Sequence, residues 1–133
     1  MVLDQQVLLD THVFLWAVRK SARLSNKVAA LLENRSVVLI VPAAVPWELA
    51  TKHRIGKLEA VGALLADYPD TLVRLGASTL GHTHTHMLTA GLLDWRHRDP
   101  FDRLIAATAI IEGLPLVTAD AEFDNIPGLN RIW

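Results

Sequence analysis

The run Val37-Val38-Leu39-Ile40-Val41, closed by Pro42, restricts the fold of this chain more than any other segment. A strand with one wet face alternates apolar and polar residues. An unbroken, mostly β-branched run reads instead as a strand covered by helices on both faces, the setting of a central parallel sheet. Parallel neighbours need long crossovers, so helices must alternate with strands along the chain. The remaining pattern agrees. An apolar run ends at Leu9, and a helix begins over Val13-Phe14-Leu15-Trp16-Ala17-Val18, its polar face opening at Arg19-Lys20. Ser25 is placed to cap a helix over 26–34. Pro46 suits the first turn of a helix that Gly56 stops. Residues 58–68 and 71–75 read as helical with an interruption at Pro69, 77–80 as a short strand and 85–93 as a helix. Asp99-Pro100 starts a helix that ends at Gly113, and 114–118 is the last clear strand. The expectation is a three-layer α/β/α sandwich around a parallel sheet, with right-handed crossovers.

At 133 residues, 51% hydrophobic and 20% charged, the chain suits one domain over 1–133, without repeat or linker. Its net charge of -1 provides no bulk positive field, so any contact with a polyanion must be local. With no cysteine there is no disulfide framework, thiolate nucleophile or cysteine-bound zinc. The start lacks a basic leader, and the longest low-polarity stretch, 37–47, is too short to span a bilayer, which needs about 20 residues. We therefore expect no membrane association and a cytoplasmic location. A mean hydropathy of +0.27 is high for so small a chain, and part of its apolar surface is expected to meet another protein.

Four acids stand where apolar segments stop: Asp10 after Val7-Leu8-Leu9, Glu48 shortly past the 37–41 run, Asp102 ahead of Leu104-Ile105-Ala106-Ala107, and Asp120 after Leu116-Val117-Thr118. Taken singly, each has a structural explanation. Asp10 and Asp120 can cap helices or turns, Asp99 before Pro100 makes a good N-cap, and Asp102 favours the helix dipole. Glu48 needs no cap. In α/β folds functional groups gather beyond the carboxyl ends of parallel strands, and several carboxylates aimed at one another there are unfavourable unless a cation neutralises them. Mg²⁺, or Mn²⁺, is the natural candidate.

The blocks Leu-Leu-Asp-Thr-His-Val-Phe-Leu-Trp at 8–16, Pro-Trp-Glu-Leu-Ala-Thr-Lys at 46–52, His-Arg-Asp-Pro-Phe-Asp-Arg-Leu-Ile-Ala at 97–106 and Leu-Pro-Leu-Val-Thr-Ala-Asp at 114–120 resemble, in order, the PIN domain. More narrowly, they resemble the VapC toxins of type II toxin–antitoxin systems. This resemblance implies a Mg²⁺- or Mn²⁺-dependent ribonuclease, usually a homodimer, inhibited by a small antitoxin. It places the family's four catalytic, metal-binding acids on Asp10, Glu48, Asp102 and Asp120, with Asp10 and Asp120 as direct ligands. Asp99 is kept as a supporting acid, while Thr11 and Thr118 are expected to hydrogen-bond the carboxylates or metal-bound water. Pro46 and Ala119 depart from the usual pattern without removing a ligand.

Lys52, His53, Arg54 and Lys57 on one side, and Arg96, His97, Arg98 and Arg103 on the other, flank the acids. Lys52, Arg98 and Arg103 are expected to position RNA phosphates. His82, His84 and His86 would share one side of an extended segment, but a helix beginning near Thr83 destroys that geometry, so surface exposure or partner contact is expected. Phe14, Leu15, Trp16 and Val18 with Val28, Leu31 and Leu32 form two apolar helices that read as core, or as the antitoxin-facing region the resemblance implies. Two enzyme rivals fail on residues: a phosphoacceptor receiver needs a lysine after its last strand, and none follows Lys57, while an Asp-x-Asp phosphohydrolase is excluded by Asp10-Thr11-His12. The alternative kept open is a degenerate PIN domain that only binds RNA or protein.

Overall fold

The computed structural model describes residues 5–58 and 60–133. Its sheet contains β1 (Gln5–Leu9), β2 (Val37–Pro42), β3 (Ser78–Leu80), β4 (Leu116–Val117) and β5 (Arg131–Ile132), in the order β3-β2-β1-β4-β5, with every pairing parallel. The expected α/β architecture is present, and its cause is visible in burial. Val7, Leu8 and Leu9 on β1 are fully buried, and the successive residues Leu39, Ile40 and Val41 on β2 are buried too. Neighbouring side chains on a strand point to opposite faces, so both faces are covered. Each fully buried aliphatic side chain of this kind contributes roughly 1.5–3 kcal/mol.

The helices described are α1 (Thr11–Arg19), α2 (Asn26–Glu33), α3 (Ala44–Arg54), α4 (Gly62–Ala66), α5 (Tyr68–Leu75), α6 (His84–Leu92) and α7 (Pro100–Glu112). The starts of α1, α2 and α7 carry side-chain caps: Asp10 accepts from Val13 N at 2.9 Å, Ser25 from Val28 N at 3.1 Å, and Asp99 from Phe101 N at 2.9 Å. Gly113 closes α7 in the left-handed region, with φ 65°, where a Cβ would be strained. None of these helices is long and apolar enough to cross a membrane.

The structure refines the sequence reading at several points. The break in 58–75 falls at Asp67 rather than Pro69, because proline is tolerated in a first helical turn and Pro69 occupies that turn of α5. A final strand, β5, pairs with β4. Two residues carry too little periodicity to be read as a strand, and only the exposed edge of β4 makes β5 one. Of the two amino-terminal apolar helices, Phe14, Leu15 and Val28 belong to the core, while Trp16, Val18, Leu31 and Leu32 remain partly exposed.

Candidate active site

Because the strands are parallel, their carboxyl ends share one edge, and each of the four acids lies just beyond it or on a helix that packs there. Asp10 directly follows β1, and Asp120 follows β4 by three residues. Glu48 lies in the second turn of α3, which leaves β2, and Asp102 in the first turn of α7, which packs against α3.

Asp10 is 6% exposed, and its carboxylate accepts from Val13 N and from the Thr118 hydroxyl. Burial pushes its pKa up from 3.8 to about 6 despite those two bonds, and the charges of Glu48 and Asp120 add to the rise. Glu48 is 2% exposed and accepts from Thr11 Oγ1 at 2.5 Å and from Lys52 Nζ. Burial works to lower the Lys52 pKa, but the bond and attraction to Glu48, with help from Asp99 and Asp102, hold it above its ordinary value. Lys52, expected to reach toward phosphate, is thus turned onto an acid of the pocket.

Asp102 accepts from His97, whose Nε2 lies 2.6 Å from Asp102 Oδ2. Burial is again the main cause that lifts its pKa to about 6; the His97 bond opposes the rise, and Asp99 and Glu48 add repulsion. Asp120 Oδ1 accepts from Glu122 N at 2.9 Å, capping the 3-10 turn Ala121–Asn125, and Asp120 N donates to Thr118 Oγ1. The Thr118 hydroxyl therefore links Asp10 to Asp120. Asp99 caps α7 and contributes charge to Asp102.

Among the described residues, one set of three donors lies close enough to share a metal ion: His97, Asp102 and Asp120, with ligand atoms within 4.8 Å of one another. Asp10 and Glu48, expected beside the other two acids, sit deeper and outside this set, held by Val13 and Thr118 and by Thr11 and Lys52 respectively. The residues fit a divalent cation. Two carboxylates supply hard oxygen donors, and Asp10 and Asp102, raised mainly by burial and to a lesser degree by repulsion from neighbouring acids, would gain from a cation's charge. The sequence reading placed His97 only in a basic flank. The signal available was its position, five residues ahead of Asp102 and just before the Asp99 cap.

Arg103, expected to position an RNA phosphate, is engaged by backbone. Its guanidinium donates to the carbonyls of Ala90 (2.9 Å), Trp95 (2.8 Å), His97 (3.0 Å), Leu93 (2.7 Å) and Gly91 (3.5 Å), pinning the α6–α7 connection. A fork so engaged clamps the loop. Arg98 is exposed and lines, with Trp95, Arg96, His97 and Arg103, a cleft of about 580 Å³. The histidines also differ from expectation. His84 is exposed, but His86 is 1% exposed: its Nδ1 accepts from Thr83 N and its Nε2 meets Glu112 Oε1 at 2.8 Å. His82 Nε2 accepts from Ala44 N at 2.9 Å while its Nδ1 meets Thr108 Oγ1 at 2.9 Å. The helix beginning at His84 turns the three rings apart, and two become internal connectors.

Residues 7–129 match the model of the PIN domain. The chain is 34% identical to ribonuclease VapC22 of Mycobacterium tuberculosis over 119 residues, 86% of each protein. It is 31% identical to ribonuclease VapC16 of the same organism over 68 residues, a match that spans 48% of that relative's length and 51% of this chain. Its fold is similar to that of a chain in the crystal structure of VapBC2 from Rickettsia felis bound to a promoter DNA fragment, with a TM-score of 0.70 at 22% identity, covering 97% of this chain and 99% of that one. The chain belongs to the PIN-domain family and, within it, to the VapC group.

Proposed function

We propose that this protein is a divalent-metal-dependent ribonuclease, the toxin of a toxin–antitoxin pair, that hydrolyses RNA phosphodiester bonds. The observation that carries the reading is the junction of Asp102 and Asp120 in a metal-sized set, with Asp10 and Glu48 behind them in electrostatic reach. The names of VapC22 and VapC16 support the activity. Asp102 and Asp120 would hold a Mg²⁺ or Mn²⁺ ion, which when bound acidifies water and offsets charge on the scissile phosphate. Asp10 and Glu48 deepen the negative potential at that point. Thr118 and Thr11 fix the rotamers of Asp10 and Glu48, and Lys52 keeps the latter's charge balanced within the pocket. Exposed Arg98 is placed to meet an RNA phosphate along the Trp95–Arg98 cleft. Attack by metal-activated water requires no histidine, serine or cysteine nucleophile from the chain.

The same reading supplies partners and place. Met87, Leu88 and Leu92 on α6 and Ile111 on α7 are exposed apolar side chains that a protein partner could cover, as are the partly exposed apolar residues of α1 and α2. We assign these to an antitoxin and a second copy of the chain without dividing them, in a cytoplasmic, single-domain protein. The deciding experiment incubates purified protein with end-labelled single-stranded RNA. Cleavage should appear with Mg²⁺ or Mn²⁺, disappear with EDTA and return with excess metal. RNA left intact under every metal condition would sink the proposal.

A further inference from the structure

We propose that His97 is a metal ligand in its own right, so that the site is a mixed nitrogen and oxygen shell of His97, Asp102 and Asp120 that selects Mn²⁺ over Mg²⁺; this rests on the divalent-metal reading above. Neighbouring donors in an octahedral shell with bonds near 2.1 Å stand about 3 Å apart, and opposite ones about 4.2 Å. The donor atoms of His97, Asp102 and Asp120 fall within 4.8 Å of one another, and His97 Nε2 is 2.6 Å from Asp102 Oδ2. In the metal-free protein a proton bridges that nitrogen and oxygen. A cation taking the proton's place would engage the same lone pairs after a separation of a few tenths of an ångström. The ring is already aimed: Trp95 lies against it at 4.7 Å between centroids, and Arg103 binds the His97 carbonyl. Both of these fix the loop that carries the imidazole.

The consequence is selectivity. Mg²⁺ takes oxygen donors and keeps its waters, whereas Mn²⁺ tolerates an imidazole nitrogen in its shell better than Mg²⁺ does. Asp10 and Glu48 lie outside the set of donor atoms within 4.8 Å of one another, so the third donor there is His97. A role limited to orienting Asp102 would leave the imidazole nitrogen off the ion, which gives a clean distinction.

The test loads the full-length protein with Mn²⁺ and records electron spin echo modulation of the bound ion, with Mn²⁺ and Mg²⁺ affinities measured by calorimetry. The wild type should show modulation from a directly bonded nitrogen. His97→Gln should lose it, with Mn²⁺ affinity falling ~10-fold or more and Mg²⁺ affinity changing much less. Bound Mn²⁺ without nitrogen coupling in the wild type, or coupling that persists in His97→Gln, would overturn the ligand assignment and leave the ribonuclease reading intact. Failure of the wild type to bind either Mn²⁺ or Mg²⁺ would overturn both.

Discussion

Two polar regions flank α7, and they handle buried polar groups in opposite ways. Around its amino-terminal turn, Asp10 and Asp102 are pushed up to about 6, mainly by burial, and neighbouring acids add to the strain. Along the α6 side, His82, His86, Thr108 and Arg103 are all matched. His82 bridges Ala44 N and Thr108, the Thr108 hydroxyl meets Leu104 O at 2.7 Å, and Arg103 holds its row of carbonyls. The second region is internally satisfied and serves the fold. The first leaves net negative charge that protein groups only partly balance, which is the condition under which a site gains by taking up a cation. The contrast separates function from structure where residue type alone does not: Arg103 and Asp102 are neighbours in sequence and belong to different systems.

The largest expected effect breaks the first region. Asp102→Asn should lower RNA cleavage at saturating metal at least ~100-fold, read as initial rate, with an unchanged circular dichroism spectrum. Cleavage near the wild-type rate would place the essential charge elsewhere. Next, Arg103→Ala should reduce unfolding free energy by about 2–3 kcal/mol in urea titration, since several carbonyls lose a charged donor that is partly open to solvent. An unchanged midpoint would reinstate Arg103 as a substrate-facing cation.

A smaller effect of opposite sign comes from Asp10→Asn. A carboxyl whose folded pKa is raised contributes stability that is full below its unfolded value of 3.8 and is lost as pH rises through about 6. The amide keeps the cap on Val13 and removes the charge. Without metal, the variant should be more stable than wild type by about 1–2 kcal/mol at pH 7.5, and the gain should vanish near pH 4. A gain independent of pH would mean that charge is not its cause.

The second region should respond with the opposite pH sign. Burial, with repulsion from His86 as a lesser cause, lowers the His82 pKa below 6.5. Its share of stability is present above 6.5 and is lost as pH falls through the folded value, because a protonated Nε2 can no longer accept from Ala44 N. His82→Gln should lower stability by about 1 kcal/mol at pH 7.5 and flatten the melting curve's dependence on pH between 7 and 5. Acid sensitivity equal to that of wild type would remove His82 as its source.

The parallel sheet, most helices and the gathering of acids at one edge were legible in the order of residues alone. The reasons are local: unbroken apolar runs force strands covered on both faces, and Asp, Ser, Pro and Gly at helix ends carry their own geometry. The resemblance to the PIN domain rested on those same segments. Which polar groups find partners depends on how the elements pack. Arg103 turns to carbonyls of the loop before α7, His86 becomes a buried cap, Lys52 folds onto Glu48, and His97 rather than Asp10 completes the metal-sized set. Hydrogen bonding and burial join residues far apart in the chain or displaced by a loop, and no periodicity records which pairs will meet. β5 shows the same limit in the backbone: two residues become a strand because β4 offers them an edge.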